Sequence, residues 1–259
     1  MKVTILGSGP SSGVPMVGGV WGDCDPDNPK NRRRRSSIYL EHEETSILVD
    51  TSPDCRSQLL DANISRADAV LYTHAHADHS HGIDDLRWLN LAMHSDLDVY
   101  GTHDTIDTLR KRFAYAFEPL KTFENHPVRY YKPMLAPHTI SGPFEIGAVS
   151  IVPFTQDHGF STTLGFRFGN FAYSTDVVSL DENAFEILEG VDTWVVDSFR
   201  REPHQTHSHL DRTLEWIDRV APRCAVLTHM NHHMDYETLV HELPNCVTPG
   251  YDGMILDIL

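Results

Sequence analysis

The chain consists of short apolar runs separated by turns rich in Gly, Pro, Asn and Asp. Runs this short that carry Val, Ile, Thr and aromatic residues are typical of β-strands. We predict strands over the following segments: 2–7, 37–42, 46–50, 69–72, 97–101, 128–135, 144–155, 163–168, 171–175, 193–197, 224–227 and 254–258.

Between these runs, apolar residues recur at helical spacing behind residues that favour a helix N-cap. Thr102 and Asp235 are predicted to cap helices, and Ser52 followed by Pro53 is interpreted as a further helix start. The predicted helices are 82–93, one after Thr102 that contains Ile106, Leu109, Phe113 and Phe117, 181–188, 210–220, and one after Asp235. Since no repeat or long linker divides the chain, we expect one domain over residues 1–259.

The most informative segment follows the strand at 69–72. His74, His76, Asp78 and His79 lie within six residues. A loop at the end of a strand can direct imidazole nitrogens and a carboxylate oxygen to one point, and these donors suit Zn, Mn, Fe or Ni. The alternative is a polar surface turn rich in His, but four potential ligands at this density favour a metal site.

Three later apolar runs also end at a ligand-type residue. They lead to Asp157-His158, to Asp176 and to His229. Each is weak evidence alone, because a single His after a strand is more often a capping or surface residue. Loops at one edge of a sheet can converge on a common site. Together with the first segment they supply five His and two Asp, enough for two metal ions that share a carboxylate.

The order His-x-His-x-Asp-His, followed by His158, Asp176 and His229, resembles the metallo-β-lactamase superfamily. The resemblance implies an αββα sandwich of the α/β (α+β) class, in which two mixed sheets pack face to face between helices. It also implies the ligand roles: His74, His76 and His158 for one metal ion, Asp78, His79 and His229 for a second, and Asp176 as the bridge. The expected cofactors are two divalent ions, Zn or Mn with Ni or Fe as further candidates, which hold a nucleophilic hydroxide.

Other segments are similar to one branch of this superfamily, the phosphoribosyl cyclic phosphodiesterases of the carbon–phosphorus lyase pathway and their relatives. They are 7–9, 12–15, the Arg run before Ser36, 227–232 and 250–254. In that branch, several cysteines of the first long loop and a late His hold a structural zinc. Here the loop has a single cysteine, Cys24, although His232 occupies the position of the late His. A tetrahedral site cannot be assembled from these residues, so we expect no cysteine-bound structural zinc.

The formal net charge of −16 argues against a broad nucleic-acid surface, because an acidic surface repels a phosphate backbone. Arg32–Arg35 stands out against this acidity. The run is either a basic patch paired with surface carboxylates or a contact for an anionic substrate, and Arg35 is the candidate for the second role. The expected partner is a small anionic phosphodiester rather than a long nucleic acid.

His207 is similar in position to an additional active-site His of the family. His207 and Asp78 are the predicted catalytic residues. Ser208 and Asp211 resemble a capping box, which would put His207 just before a helix N-terminus that favours phosphate. His207 would then bind the phosphate or protonate the leaving group. The alternative is a surface His, and His209 is the weaker candidate.

Two carboxylates are predicted to support the ligands from outside the metal site. Asp50 ends a strand shortly before the ligand-rich segment, where an ordinary turn is the alternative. Asp252 belongs to the closing segment that is similar to the phosphodiesterase branch.

These residues and the resemblance predict a dinuclear metal-dependent hydrolase. A phosphodiesterase for a small cyclic phosphodiester, such as phosphoribosyl cyclic phosphate, or for a nucleotide is favoured. The alternatives are a tRNA 3′-processing endonuclease, a thioesterase of the glyoxalase II type and an inactive metal-binding module. A secreted β-lactamase is disfavoured by His79 and by the absence of a signal peptide.

The first residues and the cysteines bear on location. Segment 1–6 has the pattern of a strand rather than of a signal peptide, and no apolar run reaches the length of a membrane span. Cys24, Cys55, Cys224 and Cys246 lack the spacing of a disulfide framework. We therefore expect a cytoplasmic enzyme without a membrane partner, and whether it forms a homodimer is left open.

Overall fold

The computed structural model describes residues 1–120 and 131–258, and two β-sheets form its centre. The first sheet contains β1 (Lys2–Gly7), β2 (Ser37–His42), β3 (Thr45–Val49), β4 (Ala69–Leu71), β5 (Leu97–Gly101), β6 (Leu135–Thr139) and β14 (Ile255–Asp257). The second contains β7 (Phe144–Ile146), β8 (Val149–Asp157), β9 (Thr162–Phe168), β10 (Phe171–Ser174), β11 (Thr193–Asp197), β12 (Cys224–Thr228) and β13 (Val247–Pro249). The strand orders are β14-β1-β2-β3-β4-β5-β6 and β13-β12-β11-β10-β9-β8-β7.

Both sheets are antiparallel on one side and parallel on the other. Strands β14, β1, β2 and β3 pair antiparallel, and β3 to β6 pair parallel. In the second sheet β7 to β10 pair antiparallel, and β10 to β13 pair parallel. Parallel strands end at the same edge of a sheet, so the loops after β3 and β4, and those after β10, β11 and β12, lie at shared edges.

The alternation of side chains along the strands creates three apolar layers. One cluster lies between the sheets and combines residues of both, such as Ile5 and Ile38 with Phe166 and Tyr173. A second cluster covers the outer face of the first sheet, and a third covers that of the second sheet. The predicted αββα sandwich of two mixed sheets between helices is therefore confirmed.

Helices supply the outer layers. They are α1 (Cys55–Asp61), α2 (Ala77–Ser80), α3 (Leu86–Met93), α4 (His103–Arg112), α5 (Ala114–Phe117), α6 (Glu182–Leu188), α7 (Leu210–Val220) and α8 (Tyr236–Glu242). As predicted, Thr102 and Asp235 cap helices, since their side chains accept hydrogen bonds from Thr105 N and Thr238 N. Within the described residues, no helix has the length and apolar character needed to cross a bilayer.

The helix predictions are wrong at three boundaries. Ser52 does not cap α1; its Oγ accepts a hydrogen bond from Asp54 N at 3.0 Å, and the helix begins at Cys55. The helix predicted over 82–93 begins with a short 3₁₀ turn before α3. The helix after Thr102 is interrupted at Phe113, whose φ of −124° ends α4 before α5 begins.

The strand predictions also need correction in the middle of the chain. The segment predicted over 128–135 lies partly outside the described residues, and β6 begins only where that prediction ends. The single strand predicted over 144–155 is a hairpin of β7 and β8, turned at Gly147, whose φ is 52°. Strand β13 was not predicted.

Candidate metal-binding active site

The structure brings the seven predicted metal ligands together at one edge of the two sheets. His74, His76, Asp78 and His79 follow β4, while His158, Asp176 and His229 follow β8, β10 and β12. Their ligand atoms form two sets, and within each set all atoms lie within 4.8 Å of one another. The first set is His74, His76, His158 and Asp176, and the second set is Asp78, His79, Asp176 and His229.

Asp176 belongs to both sets. Its Oδ1 lies 4.0 Å from His74 Nε2 and 3.8 Å from His158 Nε2, both in the first set. Its Oδ2 lies 3.0 Å from His79 Nε2 and 3.4 Å from His229 Nε2, both in the second set. One oxygen faces each set, which is the arrangement that a carboxylate needs in order to bridge two ions.

The hydrogen bonds of the rings orient their other nitrogens toward the site. His158 Nδ1 lies 2.7 Å from the Thr206 carbonyl oxygen, which can only accept, so this nitrogen carries the hydrogen. His79 Nδ1 lies 2.7 Å from Asp50 Oδ2 and is a donor for the same reason. Partners of this kind fix the tautomer in which Nε2 is the metal-binding atom.

Buried nitrogens without partners provide a test of metal fit. Among the described residues, the Nε2 atoms of His74, His79 and His229 are buried and have no hydrogen-bond partner. Buried polar atoms are rarely left unpaired in folded proteins. Imidazole nitrogens and carboxylates are donors that divalent transition metals favour, so this cluster fits a metal site.

Neighbouring charges act differently on the two sets. Burial lowers the pKa of His74 well below its ordinary value. Burial also opposes charge on His79, but the carboxylates of Asp176, Asp78 and Asp50 outweigh it and raise the pKa of His79 well above its ordinary value. His74 in the first set is therefore a neutral imidazole, whereas His79 in the second set carries a proton that a metal ion must displace.

Asp50 occupies the supporting position that the sequence predicts. Its carboxylate is fully buried, accepts hydrogen bonds from Thr73 N at 2.9 Å and Thr73 Oγ1 at 2.8 Å, and holds His79 Nδ1. Thr73 Oγ1 in turn lies 3.0 Å from His74 Nδ1. One carboxylate thus orients a ligand of the second set directly and a ligand of the first set through a hydroxyl group.

Asp197 is a buried site residue that the sequence analysis did not assign. It ends β11, between the strands that lead to Asp176 and His229. Its Oδ2 accepts a hydrogen bond from Val177 N at 3.0 Å and lies 3.1 Å from His207 Nδ1. The same pattern of an apolar strand ending in an acidic residue could have identified it.

His207 lies against the ligands. Its ring stacks on that of His229 with a centroid distance of 4.7 Å and meets the ring of His158 edge-on at 4.9 Å. Because Nδ1 faces Asp197, Nε2 is the nitrogen available to a bound substrate. The side chain is 12% exposed, so a substrate can reach it.

The capping box predicted beside His207 is wrong. His209 is the N-cap of α7 and makes no capping bond with its side chain. Ser208 lies one residue before the N-cap position and is buried. Its Oγ pairs with Thr213 Oγ1 at 2.7 Å instead of capping the helix. His207 nevertheless precedes the helix closely.

Three site residues that are not glycine adopt left-handed backbone conformations. The φ angles are 63° at Asp50, 55° at Asp176 and 58° at His229. Such conformations crowd Cβ and are uncommon outside glycine, asparagine and aspartate. At each position the chain leaves a strand and turns a side chain into the site, so the strain coincides with functional geometry.

Two of the four arginines in the run, Arg34 and Arg35, pair with nearby carboxylates. Arg35 Nη1 lies 3.2 Å from Asp54, and Arg34 forms ion pairs with Asp61 at 2.6 Å and Asp252 at 3.3 Å. This geometry agrees with the first of the two interpretations of the run. The Arg35 guanidinium is thus paired with Asp54, and its role as a substrate contact stays a prediction.

Asp252 supports a loop beside the ligands rather than a ligand itself. It accepts hydrogen bonds from Ser8 N at 3.0 Å, Ser8 Oγ at 3.1 Å and Arg34 N at 2.8 Å, while burial raises its pKa to about 6. The Ser8 carbonyl accepts a hydrogen bond from Met230 N, next to His229. Asp252 thus fixes the first loop against the strand end that carries His229.

Cys24 and His232 lie in two segments that pack together, but their contacts differ. The Cys24 Sγ is buried and lies 3.7 Å from Arg33 Nη1, whose guanidinium also donates to the carbonyls of Asn231 and Met234. His232 accepts a hydrogen bond from Asp23 N through its carbonyl group. A buried arginine therefore joins the segments at this point.

Two face-to-face mixed sheets with His and Asp ligands at one edge define the class as the metallo-β-lactamase fold, whose members include hydrolases. A family model described as a beta-lactamase superfamily domain matches residues 45–230. The chain belongs to this family.

Known proteins that are similar to the chain include a diphosphatase, an octanoyltransferase and a tRNase Z. A diphosphatase from the PhnP family is 30% identical with a TM-score of 0.89, over 100% of this chain and 98% of that chain, and this confirms the predicted branch. The octanoyltransferase of Porphyromonas gingivalis (strain ATCC BAA-308 / W83) is 31% identical over 257 residues, which cover 98% of this chain but 51% of that protein. The short form of human tRNase Z shares the fold, with 16% identity and a TM-score of 0.69 over 100% of both chains.

Proposed function

We propose that the protein is a dinuclear metal-dependent phosphodiesterase that acts on a small phosphodiester, such as a cyclic sugar phosphate or a nucleotide. The observation that carries this proposal is the position of Asp176 between two sets of ligands, with His207 directly beside them. The relationship to a diphosphatase of the PhnP family supports phosphorus chemistry.

The residues that would hold the ions are the two sets. Ions bound there would lower the pKa of a coordinated water to about 7 and polarise a phosphoryl oxygen. The chain's own contribution is orientation: Asp50 and the Thr206 carbonyl hold ring nitrogens so that Nε2 atoms face inward.

His207 is proposed to act on the leaving group. Asp197 accepts a hydrogen bond from His207 Nδ1, which orients the ring so that Nε2 faces the departing oxygen and would donate the proton to it. Such a pair needs a substrate whose leaving group is a poor one, for example an alkoxide of a sugar. A metal-binding module without chemistry would not require a buried carboxylate behind a partly exposed His.

A second candidate is hydrolysis of a diphosphate bond. The relative with 30% identity is described as a diphosphatase, and each phosphorus of a disubstituted diphosphate carries two bridging oxygens, as in a phosphodiester. The same residues would serve both reactions. Processing of tRNA is disfavoured by the net charge of −16, because a long RNA needs a basic surface.

A substrate panel tests the proposal. Metal-loaded protein should hydrolyse bis(p-nitrophenyl) phosphate and a ribose cyclic phosphate, with little turnover of S-lactoylglutathione or precursor tRNA. ADP-ribose, which contains a diphosphate, reports on the second candidate. Thioester hydrolysis without phosphodiester hydrolysis would refute the proposed function.

Replacement of His207 tests the mechanism. His207→Ala should retain both metal ions and lower kcat on an alkyl or ribosyl phosphodiester by about 10²–10⁴-fold, the usual scale of general acid–base catalysis. The loss should be smaller for p-nitrophenolate, which departs without a proton. His103→Ala, at a side chain that is 73% exposed on α4, is the matched control. Equal losses for both leaving groups would indicate phosphate binding instead of proton donation.

A further inference from the structure

The turn between β8 and β9 carries an exposed phenylalanine beside the candidate metal site. Phe160 is 87% exposed, although phenylalanine is among the residues that are most often buried. It lies two residues after the ligand His158, whose ring centroid is 5.3 Å from that of His76 and 4.9 Å from that of His207. The turn therefore lies at the rim of the site, next to the first set of ligands.

Hydrogen bonds hold this turn in one conformation. Phe160 N donates to the His158 carbonyl oxygen at 2.9 Å across Gly159, whose φ is 73°, and this closes a γ-turn of the rare kind that strains residues other than glycine. His158 N donates to the Ser161 carbonyl oxygen at 2.9 Å, and Asp157 Oδ1 accepts from Gly159 N at 2.8 Å. The backbone on both sides of Phe160 is therefore fixed.

The same turn packs against the segment that leads to His207. A Cβ on Gly159 would lie 2.7 Å from the Gln205 carbonyl oxygen and 2.9 Å from Thr206 Cγ2, so only glycine fits at this contact. This contact fixes the position of the Phe160 backbone relative to His207 as well as to the ligands. An aromatic ring at this position is exposed to solvent and can contact a molecule that is bound at the site.

We propose that Phe160 is a specificity-determining residue, against which the base of a nucleotide substrate packs while its phosphate group lies at the metal ligands. Every base has a flat π-face, and stacking on an aromatic side chain is a common way in which proteins hold bases. The inference rests on the proposed phosphodiesterase function and narrows it, because a cyclic sugar phosphate has no base. The sequence shows that Phe160 follows the ligand His158, but only the structure shows that its ring is exposed.

A matched pair of substrates tests the proposal. Thymidine 5′-(p-nitrophenyl phosphate) and methyl 2-deoxyriboside 5-(p-nitrophenyl phosphate) share the sugar and the leaving group and differ in the base. The wild-type protein should prefer the thymidine ester in kcat/KM. Phe160→Ala should lower this preference by about 10- to 100-fold, the scale of one base stacked on an aromatic side chain. Phe160→Tyr keeps an aromatic ring and should retain most of the preference.

The control variant is Trp88→Ala on α3. It also removes an exposed aromatic ring, which is 54% exposed and has its centroid 4.7 Å from the Arg87 guanidinium carbon, and it should leave the preference unchanged. Since both side chains are exposed, both variants should fold and hold metal as the wild-type protein does. An equal fall in preference in Trp88→Ala, or an equal loss of kcat/KM on both esters in Phe160→Ala, would show that Phe160 does not recognise the base and would overturn the proposal.

Calorimetry separates this proposal from the proposed function. Metal-loaded protein should bind thymidine 5′-monophosphate more tightly than methyl 2-deoxyriboside 5-phosphate, and Phe160→Ala should remove that difference. If the protein hydrolyses neither nitrophenyl ester but shows the Phe160-dependent difference in binding, the phosphodiesterase function fails and the contact with the base stands. Hydrolysis of both esters without such a difference would refute the role of Phe160 and leave the phosphodiesterase function in place.

Discussion

The two ligand sets share Asp176 but differ in their surroundings. In the first set, His76 is exposed, and the supporting partners of the rings are neutral: the Thr73 hydroxyl for His74 and the Thr206 carbonyl for His158. No carboxylate other than Asp176 belongs to this set among the described residues.

The second set is more deeply buried and more acidic. The side chains of His79 and His229 are 0% and 1% exposed. Two carboxylates, Asp78 and Asp176, belong to the set, and Asp50 lies directly behind His79. One bridging residue, Asp176, therefore joins an accessible, weakly charged position to an enclosed, strongly charged one. We expect tighter metal binding at the second set, at the cost of a proton released from His79.

The largest effect should follow from Asp176→Ala, which removes the residue common to both sets. We expect loss of both ions and a fall in activity greater than about 100-fold, the upper range for loss of a group that only supports a ligand. Elemental analysis and phosphodiesterase assays measure this. Asp104→Ala, at a fully exposed side chain, is the control. Retention of both ions with near-normal turnover would show that Asp176 does not bridge.

The next effect separates the sets by stability. In chelator-treated protein, His79→Ala leaves the buried Asp50 carboxylate without its ring partner and should lower the free energy of unfolding by about 3 kcal/mol or more. His76→Ala removes an exposed ring and should change it by less than about 0.5 kcal/mol. Urea unfolding of both variants measures the difference. Similar losses of unfolding free energy in His79→Ala and His76→Ala would show that the two sets do not differ in their buried support.

Asp50→Asn should have a smaller and selective effect. The amide oxygen can still accept from Thr73 N, but the amide group cannot also accept from both Thr73 Oγ1 and His79 Nδ1. The ring then loses the partner that holds Nε2 toward the site, so metal affinity at the second set should fall by about 10–100-fold. Affinity at the first set should fall less, because Asp50 reaches His74 only through Thr73. Competition with a chromophoric chelator resolves the two affinities, and an equal decline in both would contradict the assignment of Asp50 to the second set.

The smallest effect is a difference in pH dependence. The raised pKa of His79 stabilises the metal-free fold fully below the ordinary value of 6.5, and this stability is lost as pH rises through the higher folded pKa. A metal ion must displace that proton, and against the effect of burial Asp176 and Asp78 also raise the pKa of His229. Affinity at the second set should therefore rise by about tenfold or more per pH unit above pH 6.5, until both rings are neutral. His74, with a lowered pKa, is already neutral, so the first set should respond less. Chelator competition across this range measures how metal affinity at each set changes with pH. Equal pH dependence at the two sets would contradict the proposed difference in protonation.

The ligand-rich segment could be predicted because its four ligands are close in the sequence. A strand followed by a tight loop leaves little freedom for His74 and His79, so local pattern and final geometry agree. The fold was predictable through the order of the strand-end ligands, and the two helix caps Thr102 and Asp235 and the helix over 210–220 agree with the structure. Element ends were less accurate, because Ser208 and Ser52 are buried in contacts that override their capping preference.

The rest of the site depends on contacts between distant parts of the chain. In the sequence, Asp197 cannot be distinguished from other residues at strand ends. Only the position of β11 between β10 and β12 shows that Asp197 contacts His207. Arg112 looks like one of several basic residues at the end of a helix until its hydrogen bond to Ala75 is seen. By contrast, Arg35 attracts attention in the sequence but is paired with Asp54.

The left-handed backbone at Asp50, Asp176 and His229 has a consequence for how this protein can change. Each conformation costs about 1–3 kcal/mol, and glycine would relieve most of it. At Asp50 the hydrogen bonds from Thr73 and the contact with His79 offset this cost, whereas Asp176 and His229 keep strained backbone for side chains that face the metal site. Asp176 and His229 are therefore positions where natural or laboratory evolution for thermal tolerance would exchange activity for stability.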